Sequence, residues 1–348
     1  MVGHAEVVAA EAAAAAAAGV EMTATGNAME ITMKPHRLNM RIRAREWAIL
    51  LLALLVTMLV ATGARGAAPP AQKSFASPED AVTALVQALK AHDRAATLAI
   101  LGADEWISSG DAVADRAARD RFVAAYETKH AIALDGDSAK LTVGADDYPF
   151  AFPLVKAGDR WRFDAAAGKD ELLARRIGQN ELYTIDVLQA IVDAQREYAS
   201  VDRNGDGVLD YAQKFASSPG KHDGLYWPVK AGEPPSPLGE LVADAAGQGY
   251  SKKEKGPTAF HGYYYRMLKG QGKNAESGAL DYVVKGRAIG GFAVVAYPAR
   301  YANSGIMTFI VNQDGKVYQA DLGKDTQAKA SAMQRFDPGK GWSEVKLP

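Results

Sequence analysis

Asp202, Asn204, Asp206 and Asp210 put oxygen-bearing side chains at positions 1, 3, 5 and 9 of a short stretch, with Gly207 at position 6 and Leu209 at position 8. A hard cation such as calcium takes about six to eight oxygen ligands, and alternate side chains plus one backbone carbonyl supply them, here that of Val208 at position 7. Position 12 departs from the pattern: Gln213 stands where a bidentate Glu belongs, which removes a charge and an oxygen. Such a site would bind at the weak end of the calcium range, ~10⁻⁴ to 10⁻³ M. Asp, Asn and Gly also form tight Asx turns without any ion, so calcium and a bare turn both remain open.

Aromatic residues form a second cluster: Tyr226, Trp227, Tyr263 and Tyr265, accompanied by Tyr264, Phe292 and Tyr297. Flat amphipathic rings suit a carbohydrate or peptide surface. Alternation along a strand sends Tyr263 and Tyr265 to one face and Tyr264 to the other, so at least one set is expected to pack into a core. Ser218-Pro-Gly-Lys221 has a Ser-x-x-Lys spacing, but Pro219 and Gly220 place it in a loop, where the spacing is read as coincidence. His92, His130, His222 and His261 are too far apart in sequence to suggest a zinc set, and the pair Asp146-Asp147 is expected at the surface. The sequence contains no Gly-x-Ser-x-Gly, His-Glu-x-x-His or phosphate-loop motif.

The elements that would hold these residues fall into two series. In the first, residues 75–168, Ser77 caps a helix with Pro78 at its first position, Asp93 opens a second helix ending at Gly102, and Arg116 to Tyr126 reads as a third. The period then changes to two, giving strands at His130 to Leu134, Lys140 to Val143, Phe150 to Lys156 and Arg160 to Asp164. In the second, residues 169–348, a long helix from Asp170 to Ser200 leads through the Asp-rich loop 202–210 to strands near 262–268, 281–284, 292–297, 307–311 and 316–321, with a hairpin turn at Asn312 to Gly315 and a closing helix at Thr326 to Arg335. Twelve of the fourteen tyrosines lie from Tyr183 to Tyr318, which supports a boundary near residue 169.

Upstream, Arg41, Arg43 and Arg45 precede an apolar run from Ala48 to Ala61. As a helix it would reach roughly 21 Å, short of a ~30 Å hydrocarbon core, so residues 33–66 are expected to be a cleaved secretory leader and 67–74 a linker. An uncleaved tether is the alternative, and the only expected route to a membrane. Residues 1–32, with an alanine run, are expected to be an upstream extension outside the native protein. The formal net charge of −1 argues against nucleic acid as a partner. With no cysteine, an exported chain has neither disulfides nor a lipoprotein anchor and must stabilise itself by packing.

The order of helices and curved antiparallel sheet in the first series resembles the nuclear-transport-factor-2-like fold, and the long helix feeding a small sheet resembles a pilin layout. The segments REYASVDRNGDGVLDYAQ (196–213), GLYWP (224–228), FHGYYYR (260–266), GGFAVVAYP (290–298) and SGIMTFIVN (304–312) resemble an uncharacterised bacterial exported family, domain of unknown function 2950, over nearly all of residues 74–348. The resemblance implies no activity.

The sequence thus predicts an α+β protein of the periplasm or the exterior. It is expected to act as a non-catalytic binding or assembly module for an envelope protein or glycan, with no cofactor other than Ca²⁺ at the Asp202 loop. An envelope enzyme, with its site in the first module's cone or between the modules, is the alternative. A self-associating structural subunit related to pseudopilins is a third possibility.

Overall fold

A computed structural model of the chain describes residues 72–230, 232–251 and 257–346. The leader, the upstream extension and the linker up to residue 71 lie outside the described residues. Pro70–Pro348 forms one compact unit of α+β type.

Helix α1 (Pro78–Lys90) starts where the Ser77 hydroxyl accepts the Asp80 N–H at 3.0 Å, a cap that contributes about 1 kcal/mol. Ala81, Val82, Leu85, Val86 and Leu89 form its buried face. Helix α2 (Arg94–Leu101) is capped by Asp93 and stops at Gly102, whose φ of +66° is a left-handed ending that glycine adopts without strain. Helix α3 (Ala112–Thr128) begins four residues earlier than the sequence suggested, because Asp111 caps it through the amides of Val113 and Ala114.

These helices cover a sheet of β1 (His130–Asp135), β2 (Ser138–Val143), β3 (Tyr148–Pro149), β4 (Leu154–Ala157) and β5 (Arg160–Phe163). Its order is β1-β2-β4-β5, with β3 also on β2 and every pairing antiparallel. The strand expected over Phe150 to Lys156 is broken in two. Pro153 has no N–H for the ladder, and the bend around it drives Phe152 inward. Phe150, Phe152 and Phe163 pack ring against ring, with Trp106 stacked on Phe152 and Phe122 tilted against Phe150, and fill the space between sheet and helices. His92, His130 and the Asp146-Asp147 pair lie outside this core: His130 stacks on Tyr126, and Asp147 pairs with Lys129 at 2.7 Å.

Helix α4 (Ala165–Ala199, 35 residues) opens on an Asp164 cap and runs without a break through the boundary expected near residue 169. Its start belongs to the first core: a side chain on Gly168 would sit 2.1 Å from the Phe152 ring, and Leu172 packs against the same cluster. Its far half packs Val187, Leu188, Ile191, Val192 and Tyr198 against a second core. Between these halves Arg176 donates to the carbonyls of Trp106 and Ile107 and to the Asn303 side chain, and Asn180 donates to the Ser304 carbonyl. One helix therefore serves both cores.

Helix α5 (Gly239–Gly247) follows the loop region. The second sheet has the order β13-β11-β10-β9-β6, built from β6 (Tyr263–Leu268), β9 (Ala293–Pro298), β10 (Met307–Asn312), β11 (Val317–Asp321) and β13 (Ser343–Glu344). β9 is buried along its whole length, so it is apolar on both faces. On one face lies α4, and on the other helix α6 (Thr326–Ala332) with a small sheet of β7 (Gly270–Gln271), β8 (Leu280–Asp281) and β12 (Arg335–Phe336). Among the described residues no helix is long and apolar enough to cross a membrane.

Candidate functional site

The last turn of α4 sets the position of the Asp-rich loop. Gln195, fully buried, donates to the Ala212 carbonyl and accepts the Ala212 N–H, both at 2.9 Å, so its amide mimics a strand partner for the chain leaving the loop. Asp202 turns both carboxylate oxygens onto the loop's own backbone, accepting from Asn204 (3.2 Å), Gly205 (2.8 Å) and Gly207 (2.7 Å). These bonds hold its carboxyl below the usual range, the Gly207 amide contributing most. Asn204 and Asp206 accept in the same way from Asp206 and Val208. Gly205 and Gly207 take φ of +74° and +83°, which the repeated Asx turns require.

The oxygens that the calcium pattern assigns to positions 5, 7 and 9 meet one side chain. Arg287 donates through Nη1 to Asp206 Oδ2, through Nη2 to the Val208 carbonyl at 2.7 Å, and through Nε to Asp210 Oδ2 at 3.2 Å. Lys285 and Gly286, with φ of +51° and +81°, form a two-residue hairpin turn between Val284 and Arg287, which exchange both backbone bonds. Gln213, the departure at position 12, points away from the loop and donates to the Gly286 carbonyl at 2.8 Å, steadying that turn. Arg287 and Asp210 side chains are only 20% and 17% exposed, so this pair is shielded from solvent. Burial and the neighbouring Asp202 push the Asp210 carboxyl up. Among the described residues no group of three or more His, Asp or Glu side chains is arranged around a metal position.

Beside the loop opens a polar cleft of about 630 Å³. Its wall includes Tyr198, Arg203, Lys214, Lys221, His222 and Arg287. The Tyr198 hydroxyl donates to the His222 carbonyl at 2.8 Å, and the His222 ring stacks on Trp227 at 4.2 Å. Ser218 does meet a lysine, but it is Lys214: Nζ lies 2.7 Å from Ser218 Oγ and 2.7 Å from Asp223 Oδ2. The Lys214 ammonium and the Ser218 amide hold the Asp223 carboxyl far below the usual carboxylate range.

The aromatic cluster divides as strand alternation requires. Tyr263 is fully buried with its hydroxyl on the Met307 carbonyl at 2.9 Å, and Tyr265 packs beside the same core, its hydroxyl 3.4 Å from that of Thr184. Trp227 is 8% exposed, and Tyr226 is half-buried against that core. These rings belong to the helix–sheet core, and of them Trp227 reaches the cleft wall through its contacts with His222 and Arg203. Of the residues that the sequence singles out, Asn204, Asp210, Gln213, Lys221 and His222 line the cleft, and Arg287 joins Asp206, Val208 and Asp210. The structure adds Arg287, Arg203, Lys214 and Asp223, whose roles follow from contacts across up to 81 residues.

A family model described as "Protein of unknown function (DUF2950)" matches residues 72–345. No curated protein and no solved structure matches the chain.

Proposed function

The chain belongs to the DUF2950 family of proteins of unknown function, and from that premise we propose that it is a non-catalytic binding module of the bacterial envelope whose site is the cleft at the end of α4. The observation that carries this reading is the pairing of Lys214 with Asp223 beside Ser218. A serine nucleophile needs a neighbouring base to take its proton. Among the described residues Ser218 Oγ meets Lys214 Nζ at 2.7 Å and donates to Asp223 Oδ2 at 3.0 Å, and that carboxylate is already paired with Lys214 at 2.7 Å and held far below the usual carboxylate range, which makes it a poor base. The cleft gathers hydrogen-bonding groups on one concave wall, an arrangement suited to holding a ligand. Arg287 in this reading performs the bridging that calcium would perform in an unassisted loop. The envelope location rests on the basic-then-apolar leader at Arg41 to Ala61.

The test is a melting-temperature screen of the full chain against neutral sugars, acidic sugars and short peptides, with product analysis of every mixture. Stabilisation without conversion is expected. Conversion of any compound, lost in Ser218→Ala, would replace this reading by an enzymatic one.

A further inference from the structure

We infer that the cleft at the end of α4 recognises an oxyanion, a carboxylate or phosphoryl group, held by Arg203 and Lys221; this rests on the binding reading above. The ligand class follows from an accounting of partners, of which charged groups already hold a neighbour and which keep open donors. Four cations line the cleft, Arg203, Lys214, Lys221 and Arg287, against two acids, Asp210 and Asp223. Both acids are already occupied, Asp223 by Lys214 and Asp210 by Arg287. The two nearby loop acids are satisfied as well, since Asp206 also pairs with Arg287 and Asp202 accepts three backbone amides.

Arg203 and Lys221 are left over. The Arg203 guanidinium lies 5.0 Å from the Tyr198 ring centre and 5.1 Å from that of Trp227, and its Nε donates to the Tyr198 carbonyl at 3.3 Å. Its terminal nitrogens have no partner among the described residues. Two rings thus fix the plane of a guanidinium whose remaining donors are free, the preorganised fork that binds carboxylate or phosphate through two bonds. Lys221 is exposed, and its side chain has no partner among the described residues, yet its backbone is fixed by the turn at Gly220 and a bond to the Ser218 carbonyl at 3.0 Å. A point charge and a planar fork with open donors on the wall of one cleft favour an anion over a neutral ligand.

Isothermal titration of the full chain with inorganic phosphate, glucuronate and glucose tests this. Phosphate and glucuronate should bind and glucose should not, with affinity falling as sodium chloride is raised. The tighter of the two anions identifies the source as phosphoryl or carboxylate. Lys221→Gln, at an exposed position, should leave the melting temperature unchanged and weaken the anion by about tenfold. Arg203→Lys keeps the charge and should also weaken it, because the fork is lost. Glucose binding as tightly as glucuronate, unaffected by Lys221→Gln, would overturn the oxyanion inference and leave the binding reading standing. Absence of heat from all three probes would overturn it too, while the wider melting screen decides the binding reading separately.

Discussion

Replacing Arg287 by Met keeps most of the side chain's length and apolar contact but removes every donor that closes the Asp-rich loop. Three interactions go: the bond to Asp210 at 3.2 Å, the bond to the Val208 carbonyl at 2.7 Å and the pair with Asp206. Breaking a buried ion pair costs about 3–5 kcal/mol, whereas an exposed pair contributes about 0.2–1. The side chains of Arg287 and Asp210 are 20% and 17% exposed, between these limits, while Asp206 at 44% is largely solvated. Discounting for solvent gives a loss of about 2–3 kcal/mol, or a fall in Tm of roughly 4–10 °C for a unit of this size. Calorimetric melting measures the loss, and hydrogen exchange at Asn204 to Val208 should accelerate in the same variant. Asp206, Asp210 and the Val208 carbonyl are then free for a cation, so millimolar calcium should raise the Tm of Arg287→Met while neither calcium nor a chelator moves that of the unaltered chain. If Arg287→Met melts within 1 °C of the parent and the loop amides exchange at the same rate, the guanidinium does not hold this loop.

Three further outcomes follow from the packing and the charges. Gly305→Ala should cost about 2–3 kcal/mol in denaturant unfolding, since the new methyl would lie 2.1 Å from the Tyr263 hydroxyl and displace a fully buried ring. Burial, with Arg121 adding to it and Asp111 opposing, lowers the His261 pKa, so its contribution is complete above the unfolded value of ~6.5 and is lost as pH falls toward the folded one. His261→Asn, which tolerates the φ of +48° there, should flatten that slope in pH-dependent melting. The Asp223 carboxyl is depressed, so the Lys214–Asp223 closure should hold above the unfolded pKa of ~3.9 and fail only in stronger acid, which an NMR titration of the Ser218 amide would follow.

Much of the fold was legible because its signals are local. The Ser77 cap, the Gly102 stop and the Asn312 to Gly315 turn each depend on a few adjacent residues, and all three appear in the structure. The alternation through Tyr263, Tyr264 and Tyr265 likewise assigns opposite faces. The break at Pro153 was legible in principle, since the missing N–H sits inside the expected strand. Other features have no local signal. Nothing near Asp202 announces that Arg287 will close its loop, because the Lys285-Gly286 turn that aims the arginine is distant in sequence. The Ser-x-x-Lys spacing drew attention to Lys221, yet the lysine that meets Ser218 comes from the other side, at position 214. The composition change near residue 169 points to a boundary there, but a helix can take part in two cores, and α4 runs through that position with Leu172 still packed in the first.

Amide shift mapping of the isotope-labelled full chain with glucuronate tests the account most directly. The shifts should concentrate at residues 198–223 and at Gly286 and Arg287, around the cleft. Shifts gathered instead on the β1–β5 sheet and its covering helices, with the end of α4 unchanged, would contradict it.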